Sequence, residues 1–173
     1  MIRPIVILGF MGAGKTTVAL ELARQLGCSV VDLDELVAQR SGHYVAEIFE
    51  IEGEERFRQI ESAALRQAIE ENRDGIIALG GGTWTMSGNR DAIRAAGMLT
   101  VWLDTPFEIC WERIRISSDE RPLARTEAEA RALFASRRED YQSADFRVGE
   151  EAAASLESTV AVILKLMAEC RDK

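Results

Sequence analysis

The chain is poor in the residues that mark several common protein classes. Its 173 residues contain three cysteines, 28, 110 and 170, far apart and with no histidine near them. Such a set fits neither a zinc site nor a disulfide framework and implies free thiols in a reducing compartment. His43 is the only histidine, next to Gly42 in an expected surface turn, so a Ser–His or Cys–His nucleophile pair has little to be built from. No apolar run approaches a membrane span. The first run is too short for a leader peptide and leads directly into glycines, which makes the cytoplasm the expected location. The formal net charge of −8 argues against a coat for nucleic acid or an anionic membrane, though not against a local basic pocket. Lysine occurs only at 15, 165 and 173. Arginine supplies the remaining positive charge, and its fork suits carboxylates and phosphates.

What is present is an alternation. Short runs rich in valine and isoleucine, PIVIL (4–8), SVVDL (29–33), GIIAL (75–79), LTVWL (99–103) and FRV (146–148), read as strands. Stretches of helical period separate them at 15–26, 34–41, 44–72 with a break near Gly53, 89–96, 106–115 and 127–142, and a last one follows at 156–170. Strands that are apolar throughout belong to a sheet buried on both faces. Strand–helix alternation predicts parallel βαβ units and an α/β fold, and the length suits one domain. The one long polar stretch, ISSDERPLARTE (116–127), predicts a surface loop. It ends in a helix start, with Thr126 as cap and Glu129 three residues on.

GFMGAGKT, residues 9–16, fits G-x-x-x-x-G-K-[ST] between a buried strand and an amphipathic helix. Gly9, Gly12 and Gly14 let the backbone turn N–H groups into a hollow, with Ala13 among the binding residues, and the helix that begins near Lys15 aims its positive end there. Lys15 adds charge for the β- and γ-phosphates, the Thr16 hydroxyl can ligand Mg²⁺, and Thr17 completes the loop. The loop binds a nucleoside triphosphate. VVDLD then supplies Asp32 and Asp34 at a strand end, where ligands gather in open α/β sheets. Their spacing places them on one side if the strand runs through both, and either could instead cap the next helix. Asp32 is assigned to the magnesium, directly or through water, and Asp34 to a second substrate.

Three further features point to that substrate. Gly80, Gly81 and Gly82 end the third strand, as a tight turn, as backbone open to a ligand, or as both. Arg58 lies at the edge of the apolar stripe of helix 53–72, with Glu54 and Glu61 at pairing distance along the helix. Alone, that trio reads best as a solvated ladder; the functional alternative is an arginine aimed at an anion. Arg137 shares a helical face with Leu133, Phe134 and Tyr141 and so points inward, where it needs a carboxylate or phosphate. Arg121, in the polar loop, could swing onto a triphosphate.

PIVILGFMGAGKT, VVDLDELVAQRSG, IFEIEGEERFRQIE, LGGGT, ERPL and RREDY together resemble the shikimate kinase family, in order and nearly in spacing, over most of the chain. The resemblance implies a three-layer α/β/α fold of the P-loop NTPase type, with a five-stranded parallel sheet in the order 2-3-1-4-5. It implies one kinase domain over 1–173, a substrate-binding helical region at about 34–62 and a lid at about 116–126. It implies transfer of the ATP γ-phosphate, with Mg²⁺, to the 3-hydroxyl of shikimate, a step of chorismate and aromatic amino acid biosynthesis. On the family's pattern Asp34 orients the hydroxyl, Arg58 and Arg137 grip the carboxylate, and Gly81 and Gly82 support the ring. Phe49 and Phe57 wall the pocket, Glu61 partners Arg58, and Arg121 closes with the lid over ATP. Trp84, expected at the pocket's rim, and Ala124 with Arg125 after RPL depart from the family's pattern. VGEEAAAS shows no counterpart of its second basic contact near adenine.

Two rivals remain at this point. Among gluconate-type and nucleoside monophosphate kinases of the same fold, one acting on a neutral polyol would not need two inward arginines, and one acting on a nucleotide would need a larger base pocket. A nucleotide-binding module without catalysis would have no use for Asp34, Arg58 and Arg137. The expected partners are ATP and shikimate, with neither nucleic acid nor membrane, on a monomer.

Overall fold

Four valine, isoleucine and leucine side chains in a row cannot all face a core from one side of a strand, so β1 (Ile5–Leu8) needs cover on both faces. In the computed structural model, which describes residues 3–117, 122–149 and 155–171, all four are buried. β2 (Val30–Asp32), β3 (Ile76–Ala78), β4 (Leu99–Leu103) and β5 (Phe146–Val148) join β1 in one sheet of order β2-β3-β1-β4-β5. Every pairing is parallel, with Val6 opposite Ile77 on one side and Thr100 on the other. This is the expected α/β architecture and strand order.

The connections are helical: α1 (Lys15–Leu26), α2 (Leu33–Ser41), α3 (Val45–Glu71), α4 (Ser87–Ala95), α5 (Phe107–Ile116) and α6 (Glu127–Tyr141), with α7 (Leu156–Arg171) after β5. α1 buries Val18, Ala19, Leu22 and Ala23 and packs beside α7. α3 is two helices joined at Gly53, whose φ of 81° breaks the helix at the expected place. The Thr126–Glu129 capping box forms as expected, each side chain accepting the other residue's backbone N–H. None of the described helices is long and apolar enough to cross a membrane.

Two local expectations are corrected. β2 stops at Asp32, because that side chain accepts the N–H groups of Asp34 and Glu35 and starts α2 there. Asp34 therefore sits in the first turn of a helix, not on a continued strand. A short 3₁₀ turn, Thr83–Thr85, follows the three glycines and was not expected. Because all strands run the same way, the phosphate loop, Asp32, residues 80–82 and Asp104 gather at one edge of the sheet.

Candidate active site

The phosphate loop follows β1 and holds its shape through close packing. Gly12 has φ 76°, and a Cβ there would meet the Cys110 carbonyl oxygen at 2.6 Å, so only glycine fits. Gly14 begins α1 in the left-handed conformation. The Lys15 ammonium donates to the Phe10 carbonyl at 2.9 Å across the loop. Thr16 Oγ1 donates to Asp32 Oδ2 at 2.5 Å, while Asp32 Oδ1 serves the cap of α2. Asp32 thus caps α2 with one oxygen and leaves the other beside the Thr16 hydroxyl, the second residue expected at the magnesium. A hydroxyl and a carboxylate at contact distance are hard oxygen donors. The described residues hold no cluster of three or more histidine, cysteine or carboxylate ligands. That donor set fits a Mg²⁺ that keeps most of its shell as water and phosphate oxygen.

A cavity of about 300 Å³ opens from this loop, and Lys15, Thr16, Asp32, Asp34, Arg58 and Arg137 all line it. Gly12, Gly14, Thr17, Gly81 and Gly82 line it as well, as do Phe49 and Phe57, whose rings pack at 4.6 Å. Ala13 lines instead a second cavity of about 630 Å³ that shares Gly14, Thr17 and Arg113 with the first and also meets Pro106, Leu156 and Thr159. Residue 121 lies outside the described residues, so Arg121 and much of the expected lid are not placed. Pro122 and Leu123, which follow it, line the first cavity.

Arg58 is not part of a solvated ladder. Its side chain is 13% exposed and pairs with Glu61, itself 1% exposed, at 2.8 Å; Glu54 lies outside at 3.3 Å. Thr83 donates to the other oxygen of Glu61 at 2.6 Å. The correction follows from burial: α3 packs against the turn after β3, which removes water from one side of the helix.

Arg137 is 6% exposed and, among the described residues, no carboxylate forms an ion pair with it. Burial lowers its pKa and the Arg58 charge pushes the same way, whereas Tyr141 and Glu61 oppose the shift. A desolvated cation beside a second cation, with no carboxylate paired to it among the described residues, is a site shaped for an anion.

The three glycines each make room for a different group. A Cβ on Gly80 would strike Asp34 at 2.6 Å and Glu61 at 2.7 Å. On Gly81 it would come within 3.2 Å of Arg137 Nη1, and on Gly82 within 2.5 Å of Arg58 Nη2. The turn is therefore the surface against which the acid and both guanidiniums are arranged.

Trp84 does not reach the rim. It is fully buried, and its indole donates to the Asp140 carbonyl at 3.0 Å. Ala124, named with Arg125 as a departure from the family's pattern, is buried with Phe107 and Ala130. Residues 150–154, most of the segment searched for an adenine contact, lie outside the described residues. Arg113 was missed: it donates to the Gly12 carbonyl at 2.9 Å and lines both cavities. Its signal was slight, an arginine between Cys110 and Ile114 on an amphipathic helix. Thr83 was missed too, hidden behind the glycines as an ordinary turn residue.

These features have close parallels. The family model described as shikimate kinase matches residues 11–168. A curated shikimate kinase from Geobacter sulfurreducens is 38% identical over 170 residues, spanning 96% of this chain and 92% of its own. A solved shikimate kinase from Acinetobacter baumannii, in complex with shikimate, aligns with a TM-score of 0.91 at 30% identity. That alignment covers 100% of this chain and 97% of the other. A gluconokinase from Sinorhizobium meliloti aligns at 0.64 and 17% identity over 97% of this chain and 93% of its own, a likeness of fold alone. Matched by the family model over most of its length and more than one-third identical to a nearly full-length relative, the chain belongs to the shikimate kinase family.

Proposed function

We propose that this chain transfers the γ-phosphate of ATP to the 3-hydroxyl of shikimate, giving shikimate 3-phosphate and ADP. The observation that carries the reading is Arg137: buried, without a carboxylate partner among the described residues, and lining one cavity with Arg58, Asp34 and Lys15. An acceptor carboxylate supplies the missing counter-ion. A gluconate-type acceptor also carries a carboxylate, but the family places a shikimate kinase first.

Phosphoryl transfer needs in-line placement, neutralised charge and exclusion of water more than covalent help. The loop N–H groups and Lys15 hold the β- and γ-phosphates, and the second cavity beside Ala13 and Thr17 takes the base. Arg58 and Arg137 hold the acceptor carboxylate, Gly81 and Gly82 let the ring lie close to backbone, and Phe49 and Phe57 form its apolar wall. That grip points the acceptor hydroxyl toward Asp34, which accepts its proton as the oxygen attacks the γ-phosphorus. Thr16 and Asp32 would hold Mg²⁺, which would supply neutralising charge at the phosphates when bound. Arg121 enters on the resemblance alone, as a lid arginine over the triphosphate. Every side chain named belongs to one chain, so a monomer suffices.

A coupled ADP-release assay over a small acceptor panel tests the proposal. Turnover with shikimate and Mg²⁺ is expected. Turnover only with gluconate or a nucleoside monophosphate moves the assignment to that class, and ATP binding with no acceptor phosphorylated moves it to a non-catalytic module.

A further inference from the structure

We propose that Tyr141 is a positioning residue for the acceptor carboxylate, joining Arg137 and the glycine turn into one rigid grip. The proposal rests on the reading of Arg58 and Arg137 as the carboxylate-binding pair.

Tyr141 is the last residue of α6 and is 2% exposed. Its phenol donates to the Gly81 carbonyl from the same buried face of α6 as Arg137, one helical turn further on. Arg137 Nη1 itself lies 3.2 Å from the point where a Cβ on Gly81 would stand. Guanidinium and phenol thus meet the turn at the same residue, Gly81, which lies 60 positions from Tyr141 in sequence.

The phenol is anchored on both sides. Its ring leans on Trp102 with centroids 5.9 Å apart. The guanidiniums of Arg138 and Arg147 each lie 5.3 Å from Trp102, and both pair with the buried Asp104. On the opposite side Trp84 donates to the Asp140 carbonyl and to Ser143 Oγ, and Arg90 pairs with Asp140 at 2.9 Å. The end of α6 is therefore tied to β4, to β5 and to the turn after β3.

The choice of a phenol has a chemical consequence. A carboxylate in its place would neutralise Arg137 before any ligand arrived. A neutral phenol holds the turn against the helix that carries Arg137 and leaves the guanidinium's charge for the ligand, with less freedom to lose on binding.

Tyr141→Phe keeps the ring and removes the oxygen. Steady-state kinetics of wild type and variant should show the KM for shikimate raised about tenfold, with kcat and the KM for ATP within about twofold. An unchanged shikimate KM in the folded variant overturns the proposal. A parallel worsening of both KM values also overturns it, since that is what a merely structural role produces. Arg137→Ala separates the underlying reading: if wild type turns over shikimate and this variant has the same shikimate KM, the carboxylate grip itself is wrong. Should Tyr141→Phe not fold, Tyr44→Phe leaves Tyr141 as the only tyrosine. Grown on 3-fluorotyrosine, that protein should show its single tyrosine ¹⁹F resonance shift with shikimate but not with the same triol ring lacking the carboxylate. No shift with shikimate, or equal shifts with both, overturns the proposal.

Discussion

Arg58 and Glu61 meet at 2.8 Å where water is almost excluded, the carboxylate being 1% exposed. Thr83 occupies the other oxygen of that carboxylate, so Glu61 is a fully engaged buried acceptor that sets the direction of the guanidinium. Removing one member of a buried pair leaves the other uncompensated. Glu61→Ala should lower folding stability by about 3–5 kcal/mol, read from urea denaturation midpoints. Glu61→Gln keeps acceptor geometry and should recover much of that loss while raising the KM for shikimate. Equal stability of wild type and Glu61→Ala would show that the pair is not buried in solution.

Gly82→Ala tests the turn as a surface for Arg58. The added methyl would lie 2.5 Å from Nη2 and 2.7 Å from Nη1, atoms at the far end of a long side chain that can swing aside. The fold should survive with little change in melting temperature, while the shikimate KM rises roughly tenfold through loss of aligned binding. A large melting change with an unchanged KM would mean that the backbone, not Arg58, gives way.

Asp32 has two separable functions, and Asn separates them. Asp32→Asn keeps an oxygen for the α2 cap but loses the charge beside Thr16. It should melt near wild type yet need a higher Mg²⁺ concentration for half-maximal rate. Asp32→Ala should in addition lose about 1 kcal/mol of cap energy. A Mg²⁺ titration that is the same for wild type and Asp32→Asn removes Asp32 from the metal.

Asp34→Asn should lower kcat by roughly 100-fold or more, as expected for loss of a general base, with the KM for ATP little changed. Retention of wild-type kcat would leave Asp34 an orienting group only.

Alkaline stability should report on the buried phenol. Burial pushes Tyr141 up from 10.0 to about 12. Between those values the unfolded chain releases a proton that the folded chain keeps, so stability is complete below pH 10 and falls as pH rises toward 12. At about 1.4 kcal/mol per unit the loss reaches roughly 3 kcal/mol. Burial of the Cys110 thiol, raised from 9.0 to about 11, adds a loss of the same sign from pH 9. Thermal melts across this range should be flatter for Tyr141→Phe than for wild type; identical slopes would mean that the phenol is not buried in solution.

The strands and helices were readable before any coordinates because they rest on short-range patterns, whereas the sheet order came only with the resemblance to the family. Continuous apolar runs such as IVIL make doubly covered strands, and the spacing of glycines and Lys15 in GFMGAGKT makes a phosphate loop wherever a strand precedes and a helix follows. Asp32 and Asp34 were harder. Their spacing of two is compatible with a strand or a cap, and only the hydrogen bonds from the N–H groups of Asp34 and Glu35 decide for the cap.

Local pattern could not decide which charges lose their water. Arg58 with Glu54 and Glu61 has the same spacing whether the helix is exposed or packed; the turn after β3 makes it packed. Arg137 was legible as inward-facing from its neighbours, but not as an arginine buried against Gly81 without a carboxylate partner among the described residues. Trp84 looked like a rim residue beside the glycines and proved to be a tie between the 3₁₀ turn and α6. The chain thus specifies its loop, strands and helices through contacts a few residues long. Desolvation and direction at the anion site arise only when segments dozens of residues apart pack together, because burial is a property of what lies across the gap and not of the residue itself.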